Sequence, residues 1–231
     1  MRLSKLLGAI SMAALVGAAH GAPTLIHDYQ LNGTLADALG GPALVDAGGT
    51  LGGTGYTFAA NQGLSLSNGL AGNGNYSIEM SFSFSTIGGY RKILDFKDRA
   101  SDNGLYALGA ALNFYPIDTN GTAFGNDVNV NVVLTRDSST DVVTGYLNGV
   151  SMWSFVDGGA LAVFSGANDI VQFFKDDFAT GQGEASGGFV DYIRIYDGAI
   201  IPAPNGNVPE PGTLALFGAA ALAAGLRRRR R

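Results

Sequence analysis

The chain has no cysteine. Disulfide staples, thiolate zinc ligands and a cysteine nucleophile are therefore excluded, and the fold must hold by packing and hydrogen bonds alone. Histidine is nearly as scarce, with His20 and His27 only. A serine-type triad needs a histidine base. His27 stands alone beside Asp28 at the start of a strand-like stretch and reads as structural. Charged residues make up only 14% of the chain. Between Ala22 and Asn207 the 7 basic residues are outnumbered by 18 acidic ones, a net charge of −11. Such a segment is repelled by nucleic acid, whose binding rests on Lys and Arg against phosphate. The same segment also lacks any convincing amphipathic helical period.

Glycine, by contrast, is abundant at 35 of 231 residues, and the periodicity is that of strands. Tyr76 to Ser85 alternates apolar Tyr, Ile, Met, Phe and Phe against Ser and Glu, which predicts a half-buried antiparallel strand with its polar side in water. Val128, Val130, Val132 and Leu134 repeat the pattern. Asp137-Ser138-Ser139-Thr140 is turn chemistry. Val142 to Leu147 runs into Asn148-Gly149, a strong hairpin signal because both residues tolerate positive φ, and Val150 to Phe155 returns. Further strands are expected over residues 24–31, 56–59, 64–67, 92–96, 105–108, 111–115, 170–174 and 189–196. Many short strands between Gly, Asn and Asp turns predict an all-β antiparallel jelly-roll sandwich.

The two ends carry different instructions. Arg2 and Lys5 precede an apolar run from Leu6 to Ala19, and Ala19-His20-Gly21 puts small residues where a signal peptidase wants them. Residues 1–21 therefore read as a signal helix cleaved between Gly21 and Ala22. At the other end stand Val208-Pro209-Glu210-Pro211, an apolar run to Leu226, and Arg227, Arg228, Arg229, Arg230 and Arg231. A run without polar side chains suits a transmembrane helix, although it is short against the roughly 20 residues that span a bilayer. Arginines beside it stay on the cytoplasmic side. The rest of the chain would then be exported and transiently anchored in the inner membrane. Residues 22–199 form the expected domain, 200–207 a linker rich in Pro and Asn, and 208–231 the tail.

This tail resembles the PEP-CTERM sorting signal of exported bacterial proteins. The resemblance implies handling by an exosortase-type membrane peptidase acting near Pro209-Glu210-Pro211, with the mature form at the cell surface or outside the cell. A second resemblance rests on four segments: Leu31 to Asp37, Tyr76 to Glu79, the hairpin from Val132 to Val150, and Phe189 to Asp197. Their order is similar to that of the LamG-like jelly roll in the concanavalin A-like lectin and glucanase superfamily. It implies a lectin-type sandwich that binds extracellular polysaccharide or a matrix protein.

Catalysis is not expected. The laminarinase-type Glu-x-Asp-x-x-Glu string is absent, and only Glu79 and Glu184 lie in the domain. A carbohydrate-active hydrolase or lyase on the same fold is the alternative, since two suitably separated carboxylates suffice. LamG-like domains often hold calcium, which takes loop oxygens. The candidates are Asp98, Asp102 and Asn103 in one loop and Asp118, Asn120 and Asp127 in another, with turn capping as the competing role. Lys175-Asp176-Asp177 reads as a solvated turn. Trp153 and most tyrosines are expected in the core, with sugar stacking as their other use.

Overall fold

The computed structural model describes residues 22–165 and 169–203. Among these there are only strands, turns and loops, and all fifteen strands pair antiparallel in two sheets. One sheet contains β1 (Leu25–Tyr29), β3 (Thr50–Leu51), β4 (Tyr56–Phe58), β6 (Tyr76–Phe84), β11 (Val130–Asp137), β12 (Val142–Leu147), β13 (Val150–Val156) and β15 (Gly188–Tyr196). Its order is β13-β12-β11-β6-β15-β4-β3, with β1 also on β15. The other contains β2 (Val45–Asp46), β5 (Leu64–Leu66), β7 (Tyr90–Asp95), β8 (Gly104–Leu108), β9 (Ala111–Tyr115), β10 (Asp118–Asn120) and β14 (Val171–Phe173). Its order is β10-β9-β8-β7-β14-β5-β2. The all-β sandwich is as the sequence predicts. The expected signal helix and transmembrane helix fall outside the described residues.

The alternate residues of each strand meet in one apolar core. Ile78, Met80, Phe82 and Phe84 of β6 and Val132 and Leu134 of β11 belong to the same cluster as Leu105 and Ala107 of β8, Leu112 and Phe114 of β9 and Val171 and Phe173 of β14. Phe58, Phe82, Phe84 and Phe174 pack ring against ring at its centre. Trp153 is core as expected: it is 5% exposed, donates its indole N–H to the Leu112 carbonyl at 3.1 Å, and lies across the strand pair from Gly145. A side chain at Gly145 would collide with its ring.

The outer face of β6 and the start of the linker depart from expectation. The Ser and Glu side of β6 is not in water: Ser77 and Glu79 are fully buried and Ser81 nearly so. β6 is a central strand between β11 and β15. Its outer face is roofed by Tyr192, Tyr196 and Asn131, all of which hydrogen-bond the Glu79 carboxylate, and by Gly198 and Ile200, both bonded to the Ser77 hydroxyl. Ile200, assigned to the linker, packs with Val133 and Tyr196 on this face. Alternation reveals which side chains share a face but not whether a further layer covers it.

His27 does serve structure. It is buried, with Nδ1 2.7 Å from Asp37 Oδ2. Burial alone would raise the Asp37 pKa, but bonds from the Asp28 N–H, the His27 ring and the N–H groups of Leu39 and Gly41 hold it below the usual range.

Asn148 and Gly149 form the two-residue turn between β12 and β13, at φ 51° and 77°. Gly149→Val forces a branched side chain into the left-handed region and should destabilise the fold by about 1–2 kcal/mol. Urea unfolding checks this, and an unchanged midpoint contradicts the turn assignment.

Candidate functional site

The site lies on the outer face of the seven-stranded sheet. Ile93, Leu94, Leu105, Ala107, Leu112 and Phe114 point into the core, so strand alternation sends Lys92, Asp95, Tyr106, Asn113 and Tyr115 to the other side. The register puts Lys92 across from Tyr106 and Tyr106 across from Asn113.

Lys92 is the hub of this face. It is 1% exposed, and its Nζ is 2.8 Å from Asp177 Oδ2, 3.6 Å from Asp95 Oδ2 and 4.0 Å from Asp176 Oδ1. The ammonium also sits 4.3 Å over the Tyr106 ring, a cation–π contact. Gly104 makes room for it, because a Cβ there would lie 3.0 Å from Nζ and 2.8 Å from the Leu94 carbonyl oxygen. The Lys175-Asp176-Asp177 segment is thus no solvated turn: Asp176 and Asp177 are 0% exposed. Buried charges persist where they are paired and hydrogen-bonded.

Two loops are tied down by this cluster. The Asp95 carboxylate accepts the N–H groups of Lys97 and Arg99 and so shapes the β7–β8 loop. The Asp176 and Asp177 carboxylates accept the Thr180 hydroxyl, the Thr180 N–H and the Glu184 N–H, which shape the segment before β15. Arg99 joins the two by donating to the Asp176 carbonyl at 2.6 Å.

Three carboxylates share one ammonium, and the balance shows. Asp95 Oδ2 and Asp176 Oδ1 are buried without a hydrogen-bond donor. Burial pushes the Asp95 carboxyl above its usual pKa, only partly countered by the Arg99 N–H and by Lys92. Asp177 goes the other way: burial opposes its ionisation, but the bonds from Lys92 and Thr180 hold it below the usual range. Burial and the nearby Asp102 and Asp176 raise Glu184.

Above this base lies an aromatic platform. Tyr90 and Tyr115 are half-buried and meet the buried Tyr106 ring edge to face at 5.4 and 6.5 Å, with 5.8 Å between them. The Tyr106 hydroxyl bonds Asp102 Oδ1 at 3.0 Å and Asp177 Oδ2 at 3.4 Å. Asn113 is 4% exposed and donates its amide to the Asp118 carbonyl and the Thr119 hydroxyl. Its Oδ1 is buried with no hydrogen-bond donor.

The calcium candidates are not brought together. Asp98 accepts from Gln172, Asp102 from Tyr106, and Asn103 is buried and donates to the Leu161 carbonyl. Asp118 and Asn120 lie in β10 rather than in a loop, Asp118 capping Thr119 and Asn120 bridging to the Met152 carbonyl. Asp127 is an exposed left-handed turn residue. Among the described residues no group of three or more His, Cys, Asp or Glu side chains is disposed to hold a metal. The sorting residues Val208, Pro209, Glu210 and Pro211, Arg227 to Arg231, and Gly21 of the cleavage site lie outside the described residues. Ala22 is described and exposed.

The chain carries a PEP-CTERM protein-sorting motif over residues 207–231, which marks an exported protein with a C-terminal sorting tail. No curated protein matches the chain. Solved β-sandwich domains do match its fold. Domain 4 of AbnA, a GH43 extracellular arabinanase from Geobacillus stearothermophilus solved in complex with arabinotriose, is 18% identical, with a TM-score of 0.54, 77% of this chain and 94% of that one covered. A Trypanosoma rangeli sialidase complex is 14% identical, with a TM-score of 0.58, and 83% of this chain spans 34% of the sialidase. The binding domain of botulinum neurotoxin serotype D is 12% identical, with a TM-score of 0.51, covering 76% of this chain and 49% of that one.

Lys92→Met strands three buried carboxylates and should cost about 3–5 kcal/mol at neutral pH, with the loss shrinking in acid as the carboxyls protonate. In the unsubstituted protein the depressed Asp177 contributes stability above the ordinary carboxylate range and loses it as pH falls through its lowered pKa. Asp95 has the opposite sign: its raised pKa favours the fold at low pH, and this is lost as pH rises through that value. Asp177→Asn should therefore cost more than Asp95→Asn at neutral pH. Thermal melts across pH test this, and equal losses would contradict the assigned states.

Proposed function

We propose that this is an exported, non-catalytic glycan-binding protein, delivered by its sorting tail and retaining polysaccharide through the tyrosine face of the seven-stranded sheet. The observation that carries the reading is the Tyr90–Tyr106–Tyr115 platform beside the undonated Asn113 Oδ1. Flat rings give a sugar's apolar face something to stack on, and an unpaired acceptor gives its hydroxyls a partner. The likeness in fold to an arabinanase domain solved with arabinotriose supports the same reading.

A glycoside-cleaving enzyme has one observation in its favour. Asp177 and Glu184 lie near Tyr106 and are pushed in opposite directions, the pattern of a base and an acid. Against it, the Asp177 side chain is 0% exposed and engaged by Lys92. A base or nucleophile must reach its substrate, so binding is preferred.

Affinity electrophoresis in polysaccharide gels, guided by a glycan array, tests the proposal. Tyr90→Ala and Tyr115→Ala should each weaken retention about threefold to tenfold without releasing reducing sugar. Retention unaffected by both substitutions, or turnover lost on Asp177→Asn, would overturn it.

Delivery is tested separately. The motif implies processing by an exosortase-type peptidase at the membrane, with the tail's arginines on the cytoplasmic side. Mass spectrometry of the protein from its host should find a C-terminus near residues 208–212. An intact Arg231 on the surface-located protein would make the tail a permanent anchor.

A further inference from the structure

The tyrosine face is also an acidic face, with more carboxylates than cations around it. Asp102 and Glu184 are half-buried and close enough to raise the Glu184 pKa, and Asp118 is fully exposed on the neighbouring β10. Of the cations nearby, Lys92 is ion-paired, and Arg91 and Arg99 are oriented by neutral acceptors. Lys92 is buried among Asp95, Asp176 and Asp177. Arg91 donates to the carbonyls of Thr86 and Tyr90, and Arg99 to the Asp176 carbonyl and the Gln182 side chain. The domain as a whole adds to this field, with 18 acidic against 7 basic residues between Ala22 and Asn207.

Resting on the glycan-binding reading, we infer that this face selects glycans bearing positive charge, namely chains of amino sugars with free or quaternary ammonium groups, and rejects uronic and sulfated chains. Three features act together. Tyrosine rings attract a cation through their faces. Asp102 and Glu184 beside them give that cation ionic partners, and its arrival offsets the burial and the repulsion from Asp102 that raise Glu184. Asn113 of β9, opposite Tyr106 of β8, is 4% exposed and has a buried Oδ1 that meets no donor. An ammonium or hydroxyl hydrogen supplies one, whereas a carboxylate or sulfate brings only further acceptors and further negative charge. Like-charge contact at a recognition surface excludes the wrong partner as effectively as good contacts hold the right one.

The test uses the full chain as purified from membranes and three soluble probes of similar length: trimethylated chitosan oligomers, their N-acetylated counterparts and an alginate oligomer. Isothermal titration at neutral pH and low salt should find the trimethylated probe bound about threefold to tenfold tighter than the N-acetylated one and alginate not bound. Raising the salt should erase that preference, because surface charge is screened. Glu184→Gln and Asp102→Asn should lower the affinity for the charged probe while leaving the N-acetylated probe's affinity unchanged. Equal affinity for the two chitosan forms, or binding of alginate, overturns the charge selection while leaving glycan binding in place. If neither chitosan form binds and no other neutral glycan is retained, the glycan-binding reading itself fails. Charged-probe binding that survives both Tyr90→Ala and Tyr115→Ala places the cation elsewhere and also overturns the inference.

Discussion

A single buried ammonium organises the outer face of the seven-stranded sheet. Lys92 is held by Asp177 at 2.8 Å with Asp95 and Asp176 around it. A charge taken out of water is tolerable only with such partners. The partners come from β7 itself and from the segment after β14, and each carboxylate uses its remaining oxygen positions to fix a loop. The same ammonium lies against the Tyr106 ring, and Tyr106 in turn sets the angle at which Tyr90 and Tyr115 lean over the sheet. The surface proposed to meet glycan is thus the top of a stack whose lowest member is an ion cluster. Its geometry depends on charge balance as much as on apolar packing.

Both sheets bury a polar cluster on their outer faces, but the two are built differently. Around Glu79 every donor is neutral, from Tyr192, Tyr196 and Asn131, and the last described residues, such as Ile200, close over that side. It reads as a sealed joint that fixes β6, β11 and β15 to one another. Around Lys92 the groups are charged, two carboxylate oxygens lack donors, and half-exposed acids and tyrosines lie above. Partial exposure rather than incomplete satisfaction separates the two, since Asn131 Oδ1 in the Glu79 cluster also lacks a donor.

Much of the fold was legible because alternation is a strong signal. The hairpin at Asn148-Gly149, the strands at Tyr76 and Phe189 and the structural role of His27 all follow from residue pattern. The short strands Val45–Asp46, Thr50–Leu51 and Asp118–Asn120 were not legible, since two or three residues carry no period. The site was mostly hidden for a different reason. Tyr106 and Asn113 each stand between apolar residues, and Lys92 between Arg91 and Ile93, in strands that read simply as buried. That pattern could have flagged them as facing away from the core, but the layer above comes from residues 174–184, far along the chain. Lys175-Asp176-Asp177 looks like any polar turn until Lys92 is placed beneath it. Local sequence carries propensity, and long-range ion pairs are a property of the topology.

The ends of the domain complete the physical picture. Thr24 donates its N–H to Asp197 at 2.6 Å, and β1 pairs with β15. The first and last described stretches therefore leave from the same sheet, and Ile200 packs on that sheet's outer face against Val133 and Tyr196. The tyrosine platform is on the outer face of the opposite sheet. The described chain thus ends on the side of the sandwich away from the surface proposed to meet glycan. With the core between them, processing at one side need not disturb recognition at the other, because the loops that shape the platform are anchored through Lys92 and not through either terminus.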